Sequence, residues 1–362
     1  MRVLQLIDSL RPGGAERMAI NLANSLVGKL EASFLCCTRL EGEFKNEILP
    51  EVEYLFLNKK NSWDIKAFSK LRRYLKVNEI DIIHAHGTSF FIASLLKLTG
   101  SSIKLIWHDH YGNRIYKSSF NFPVLYICSL LFDKTIVVNS KLEKWVSKNL
   151  LTSDIQISPN FISIPTKPSF QNKIKIDQNN FNIICIANFK APKNHLNLLR
   201  AFKLLVDKYS DVFLILIGND YTDNYSFEIH QFIEINNIQK RLKIINNSTS
   251  IFECLSFSDL GVLSSDIEGL PMVLLEYGMA KLPVVCTDVG DCRKVIGNDG
   301  ILVSPRDSTA FASAMEEYYL NKNRRILDGN NLNYEINRKY VADNAISFYL
   351  DIYANTLFRL NS

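Results

Sequence analysis

The chain has 362 residues, of which 47% are apolar and 22% charged, with a formal net charge of +5. That length exceeds one hydrophobic core of ordinary size and suits two. The balance excludes a disordered chain. Mild positive charge alone does not choose among nucleic acid, anionic lipid and anionic small molecules as partners.

The opening run MRVLQLID stops at Asp8, too short for a signal-peptide core. Strands are expected at 2–7 (RVLQLI), 33–38 (SFLCCT), 53–58 (EYLFLN), 81–87 (DIIHAHG), 103–110 (IKLIWHDH) and 135–140 (TIVVNS). These runs do not alternate polar with apolar, as strands covered on both faces read in a parallel sheet. Met18, Leu22 and Leu26, with Ala19 and Ala23, form a helix stripe between the first two. The longest apolar run, VLYICSLLF at 124–132, is about half a membrane span. The segment 159–180 is rich in Pro, Asn and Gln and reads as a linker. Strands resume at 181–189, 212–219, 242–247, 260–265, 282–289 and 300–305, and Leu199, Phe202 and Val206 mark the first helix after the restart. Seven scattered cysteines, without a C-x-x-C pair, suggest reduced thiols in a cytoplasmic protein.

The expected architecture is α/β, with two Rossmann-like doubly wound domains facing a central cleft. The first spans 1–162, a linker 163–180 and the second 181–340. A helix over 341–362 carries too much Phe, Tyr and Ile for a free tail, so it packs back on one of them.

Four stretches carry candidate chemistry. In RPGGAER (11–17), Gly13 and Gly14 sit between a strand and a helix, where backbone can approach a phosphate at the helix N-terminus. The stretch is neither G-x-G-x-x-G nor a P-loop, and a plain βα turn carries the same glycines. In NFKAPKNH (188–195), Lys190 and Lys193 precede a helix and can pair with phosphate, although a solvated helix start reads the same way. In EGLPMVLLE (268–276), Pro271 is expected at the first helical position. On one continuous helix Glu268 and Glu276 would lie ~12 Å apart along the axis. That is too far for an acid–base pair on one bond, which works at ~5–10 Å, and suits a grip on two parts of a polyhydroxylated ligand. Glu276 sits in an apolar helix and needs a partner there.

The fourth stretch is a set of histidines. His84/His86 and His108/His110 each end a strand, with both members on one face. They read as polar groups for a substrate or, less readily, as metal ligands. A basic helix over 65–76 shows Ile65, Phe68, Leu71 and Leu75 on one side and Lys66, Lys70, Arg73 and Lys76 around it. It reads as an ordinary surface helix or as one lying on an anionic membrane.

In this order (GGAER after the first strand, HAHG, a histidine after the fifth strand, a lysine opening the second domain, then E-x7-E), the motifs resemble a family-4 retaining glycosyltransferase of the GT-B fold. The segment 264–290 is the most specific part. The resemblance implies a nucleotide-diphosphate sugar donor held mainly by the second domain. Glu268 then contacts sugar hydroxyls, and the turn Gly269–Leu270–Pro271–Met272 lies near sugar and phosphates. Glu276 binds ribose, Lys193 neutralises the diphosphate and Gly13–Gly14 approach it. His110 stands beside the reacting sugar, with His108 the competing choice, and His86 and His108 serve the acceptor. Asn188 stands where the family often has an arginine, which leaves more of the diphosphate charge to Lys193.

The reaction so implied is metal-independent transfer of a hexosyl or N-acetylhexosaminyl group, with no cofactor. The acceptor is a lipid-linked or oligosaccharide hydroxyl in bacterial surface polysaccharide synthesis. No nucleic acid is expected, and any membrane contact is peripheral, through 65–76 at the inner face. A nucleotide-sugar epimerase of the same architecture and a non-catalytic nucleotide-sugar binder are the rival readings.

Overall fold

The computed structural model describes residues 1–100, 102–158, 160–163, 176–246 and 251–358, so the linker expected at 163–180 falls mostly outside the described residues. The chain forms two compact units, Met1–Ser163 with Val341–Ser362, and Ile164–Tyr340.

The first unit holds one sheet of β1 (Arg2–Ser9), β2 (Ala32–Leu40), β3 (Glu53–Phe56), β4 (Ile82–His86), β5 (Lys104–Asp109), β6 (Lys134–Val137) and β7 (Ile155–Ile157), ordered β3-β2-β1-β4-β5-β6-β7. Every ladder is parallel. Its helices are α1 (Gly14–Ser25), α2 (Ile65–Val77), α3 (Phe90–Leu98), α4 (Pro123–Cys128) and α5 (Ser140–Asn149).

The second unit holds β8 (Phe181–Ile186), β9 (Val212–Ile217), β10 (Leu242–Ile245), β11 (Leu260–Leu263), β12 (Val284–Thr287) and β13 (Ile301–Val303), ordered β10-β9-β8-β11-β12-β13. Its helices are α6 (His195–Val206), α7 (Asn224–Ile235), α8 (Ile251–Ser256), α9 (Met272–Met279), α10 (Cys292–Ile296), α11 (Ser308–Leu320) and α12 (Lys322–Lys339). The last helix, α13 (Ala342–Phe358), returns to the first unit. Both sheets are doubly wound, and their order reverses between β1 and β4 and between β8 and β11. Ligands of such sheets bind outside the carboxyl ends of the strands at that reversal.

Burial on both faces explains the unbroken apolar runs: all five residues of β4 are buried. The strands end earlier than the sequence suggests where a polar residue takes another task. The run at 135–140 stops at Val137 because Asn139 caps α5, accepting from Leu142 N–H at 2.9 Å. Strand β7 has no counterpart in the sequence pattern, since three half-buried residues at a sheet edge show no period.

α13 lies on one face of the first sheet. Ile346, Tyr349, Ile352 and Tyr353 are buried with Met18 and Leu22 of α1 and Leu26 at its C-terminal cap, against Val3, Ile82, Ile106 and Ile136. Ile346 and Ile352 contribute about 1.5–3 kcal/mol each by burial, and the bridge between Ile162 and Val341 fixes where the helix enters.

α2 differs from its expected face. Ala67, Leu71 and Leu75 are buried, whereas Ile65 is 77% exposed. Asp64 caps the helix by accepting from Ala67 N–H, and the stripe that follows this start leaves Ile65 outside. Lys66, Lys70, Arg72, Arg73 and Lys76 are exposed. All seven cysteines are free and buried. No helix among the described residues is long and apolar enough to cross a membrane.

Candidate active site

In the second unit, the loops after the adjacent strands β8 and β11 meet through a dense set of hydrogen bonds. Beyond β8, a short 3-10 turn at Ala191–Lys193 ends at Asn194, which takes the left-handed conformation (φ 45°) that asparagine tolerates. Asn194 caps α6 by accepting from Asn197 N–H at 3.2 Å. Its amide donates to Asp266 Oδ1 at 2.9 Å, and Asp266 N–H donates to Pro192 O at 2.8 Å. Ser264 Oγ lies 3.0 Å from Lys193 O, and Arg306 reaches Asp266 Oδ2 at 3.0 Å. These bonds place Lys193 beside Glu268: Lys193 Nζ lies 2.6 Å from Glu268 Oε1, to which Ser265 Oγ also donates at 2.6 Å.

The turn after Glu268 is clamped from the loop beyond β12. Gly290 has φ +57°, and a Cβ there would stand 2.3 Å from Glu268 O, so only glycine fits. Its neighbour Asp291 donates N–H to Gly269 O at 2.9 Å.

Pro271 is the N-cap of α9 (φ −74°, ψ 118°), one place before the first helical position where it was expected. An extended ψ at Pro271 separates the Glu268–Leu270 turn from the helix, so the two glutamates do not share one continuous helix. Met272 opens α9, and Glu276 lies in its second turn, 6% exposed. The residue after it, Tyr277, is fully buried. Its hydroxyl accepts from Ile186 N–H at 3.0 Å and lies 3.2 Å from Ile184 O and 3.1 Å from Val262 O, tying α9 to β8 and β11.

Asn188 accepts from Asn219 N–H at 2.9 Å and joins the loops after β8 and β9. His195, at the start of α6, is buried against Tyr225 and Ala187 O, and burial lowers its pKa to about 4.

In the first unit, Gly13 caps α1 and Gly14 begins it. Gly13 is extended (φ −174°), a conformation open to any residue. The nearest obstacle to a side chain there is the flexible Glu16 carboxylate, so position 13 does not require glycine for its own geometry.

The four histidines form one stack. His84 and His86 rings lie 4.5 Å apart and 22° from parallel; His84 and His108 lie 5.3 Å apart and 11° from parallel. His108 and His110 follow at 4.0 Å. His84, His86 and His108 are fully buried, so neither His86 nor His108 presents itself to an acceptor at the surface, while His110 is partly exposed. Neither ring nitrogen of His108 has a hydrogen-bond partner among the described residues. Desolvation pushes all four below the ordinary histidine value, to about 3 for His84 and His110.

Nitrogens of His84, His86 and His108 lie within 4.8 Å of one another, a spacing that a metal could in principle use. Lone pairs lie in the ring planes, however, and near-parallel rings do not aim them at one point. Both nitrogens of His86 are also hydrogen-bonded already, to His110 and Gln5.

Direct contact thus joins Lys193 to Glu268 and His86 to His110. Sequence reading did not single out Ser265, Asp266, Asn194 or Tyr277 in the second unit, nor Gln5 and Tyr353 in the first. Gln5 did leave a signal, as a polar residue inside the apolar run RVLQLI.

Comparison with known proteins agrees with this geometry. Residues 12–164 match the model described as Glycosyltransferase Family 4, and residues 166–331 the model described as Glycosyl transferases group 1. The chain is 27% identical to the Escherichia coli O-antigen biosynthesis glycosyltransferase WbnH, over 80% of this chain and 82% of that one. It is 22% identical, over 81% of each chain, to an Escherichia coli enzyme named UDP-Gal:alpha-D-GlcNAc-diphosphoundecaprenol alpha-1,3-galactosyltransferase. The crystal structure of Anabaena HepE in complex with UDP and glucose superposes with a TM-score of 0.82 at 18% identity, covering 98% of this chain and 100% of that one. Two parallel doubly wound sheets in the GT-B manner, with the two family models together spanning most of the sequence, show that the chain belongs to the family-4 glycosyltransferases.

Proposed function

We propose that the chain transfers a hexosyl or N-acetylhexosaminyl group from a nucleotide-diphosphate sugar to a hydroxyl of a lipid-linked or oligosaccharide acceptor in bacterial surface polysaccharide synthesis. Transfer proceeds with retention and without a metal or other cofactor. The observation that carries this reading is the Lys193–Glu268–Ser265 cluster at the strand-order reversal of the second sheet, followed by the buried Glu276 on α9. The names of the O-antigen and diphosphoundecaprenol relatives support the polysaccharide setting.

Each residue has a task that fits its surroundings. Lys193 spends one of three ammonium donors on Glu268, which leaves two for the diphosphate oxygens. Glu268 takes hydroxyls of the sugar, Glu276 those of the ribose, and the backbone of Gly269–Met272 faces sugar and phosphates. Because Asn188 is uncharged, Lys193 carries most of the stabilisation of the leaving group. The bond from the anomeric carbon to the diphosphate breaks as the acceptor oxygen attacks from the same face, and the hydroxyl proton leaves with the diphosphate. His110 is the histidine beside the reacting sugar: it reaches the surface, whereas His108 is buried behind it. The reduced thiols fit a cytoplasmic enzyme, and the exposed cations of α2 suit peripheral contact with an anionic inner leaflet.

Product analysis tests the reading. Purified enzyme, a panel of UDP-, GDP- and ADP-sugars and membrane-extracted lipid-linked acceptors should give a glycosylated acceptor and a free nucleoside diphosphate. A free epimerised nucleotide sugar formed without acceptor, or tight nucleotide binding with no turnover, would overturn it.

A further inference from the structure

The longest apolar run of the chain, 124–132, has no task in the roles assigned above, and protein covers only part of it. In the first unit, α2, α3, α4 and α5 cover one face of the sheet, and their inward residues share its core. α3 packs between α2 and α4, and the segment before α4 reaches α5 through the rings of Phe122 and Trp145, 5.9 Å apart. α4 buries Leu125 and Cys128 in that core. Its outer side is apolar as well. Val124 and Ile127 share that side at a spacing of three, with Ile127 65% exposed. Phe120, 92% exposed, and Leu130, 66% exposed, extend it at either end.

A helix that is apolar all round calls for cover on every side, and the charges beside this one say what the cover is. On one flank, α2 exposes Lys66, Lys70, Arg72, Arg73 and Lys76. On the other, α5 exposes Lys141, Lys144 and Lys148, and Lys117 is exposed just before α4. Against these nine cations, the stretches 65–77, 110–132 and 140–149 hold one acid, Glu143, in a chain whose net charge is only +5. A second copy of the chain does not suit such a surface, because a two-fold interface sets a patch against itself and lysines would face lysines. A bilayer with anionic headgroups does suit it: the cations meet the headgroups while the apolar side chains enter the acyl boundary. Tyr116 and Tyr126, both exposed, carry the apolar ring and polar tip that favour that boundary.

We propose that residues 116–130 are an interfacial membrane anchor, which inserts Phe120, Val124, Ile127 and Leu130 into an anionic leaflet while α2 and α5 lay their cations on the headgroups to either side. The proposal rests on the peripheral contact already assigned to α2 and adds the apolar anchor that contact lacks. Cations alone give binding that salt screens away, whereas inserted side chains hold on by burial of apolar area. Vesicle binding needs no donor, acceptor or turnover, so its failure and the failure of the transferase reading are separate results.

The test is flotation of the full chain with vesicles of phosphatidylcholine, alone or with about one third phosphatidylglycerol to supply an anionic surface. The wild type should float with the mixed vesicles and much less with the neutral ones. Phe120→Ser and Ile127→Ser together should weaken binding about tenfold or more, the worth of one buried apolar side chain. Their Tm should stay unchanged, since both residues are exposed. Insertion is read separately by Phe120→Trp in a Trp63→Phe background, where the remaining Trp107 and Trp145 are buried. With mixed vesicles its emission should shift to the blue and be quenched by brominated lipid, a readout that stands even if the double substitution fails to fold. No flotation with mixed vesicles, equal flotation with neutral ones, or an emission that vesicles leave unmoved overturns the proposal, the last leaving a contact by charge alone. A dimer in solution that the double substitution dissociates gives the stripe to a second copy and overturns it too.

Discussion

Lys193 Nζ and Glu268 Oε1 lie 2.6 Å apart, and the two residues come from loops 75 positions apart in the chain. Their side chains are 21% and 9% exposed, so the pair is shielded enough to matter more than a surface ion pair. Ser265 shares the same carboxylate oxygen, and Asp266 anchors both loops through Asn194 and Pro192. The position of the cation is therefore set by the carboxylate and its neighbours before any ligand arrives.

Lys193→Ala should separate chemistry from stability. Loss of a single charge-stabilising group costs about 100-fold or more in kcat. Loss of one partly exposed ion pair costs about 1 kcal/mol, a shift of a few degrees in Tm. Kinetics and thermal melts on the same preparation check this, and a large Tm loss with little loss of kcat would assign the pair to folding alone.

Tyr277→Phe should destabilise the second unit by about 1–3 kcal/mol, because it leaves the Ile186 N–H buried without its acceptor. Urea denaturation measures the change. The same substitution should weaken nucleotide binding, since Tyr277 ties down the helix that carries Glu276.

Acid should destabilise the chain through its histidines. Desolvation lowers His84, His86, His108, His110 and His195 below their ordinary value of about 6.5. The unfolded chain therefore takes up protons that the folded chain refuses as pH falls below about 6.5, and stability present above that pH is lost below it. Each such histidine removes about 1.4 kcal/mol per pH unit. Thermal melts between pH 7.5 and pH 5 should fall steeply. His108→Leu, which removes the imidazole with neither nitrogen partnered, should flatten the fall, and a flat wild-type profile would contradict the buried neutral stack.

Transfer should survive EDTA undiminished, and NMR of the product should show the donor's anomeric configuration. Activity lost to EDTA and restored by manganese, or an inverted product, would overturn the metal-free, same-face reading.

Much of the fold was legible because both sheets are buried on two faces, which prints each strand as an apolar run. The exceptions are local and physical. β7 is too short and too exposed to show a pattern, Asn139 leaves its run to cap a helix, and Ile65 lies off the stripe that Asp64 sets. In the site, Lys193 and Glu268 could be named singly from their motifs. Their contact could not, because it depends on β8 and β11 being neighbours, a property of sheet order that no local pattern records. Gln5 and Tyr353 meet across 348 positions for the same reason. Pro271 was misplaced by one residue because its fixed φ suits the N-cap and the first helical position alike.

Donor recognition is tested most directly by a thermal-shift panel of UDP-, GDP- and ADP-sugars on wild type, Glu276→Ala and Lys193→Ala, since a ligand that binds the folded chain raises its Tm by mass action. At least one base should stabilise the wild type at submillimolar concentration. The shift should be lost in Glu276→Ala and reduced in Lys193→Ala, both of which should still melt cooperatively. No shift with any nucleotide sugar, or a shift that survives both substitutions unchanged, would contradict the account.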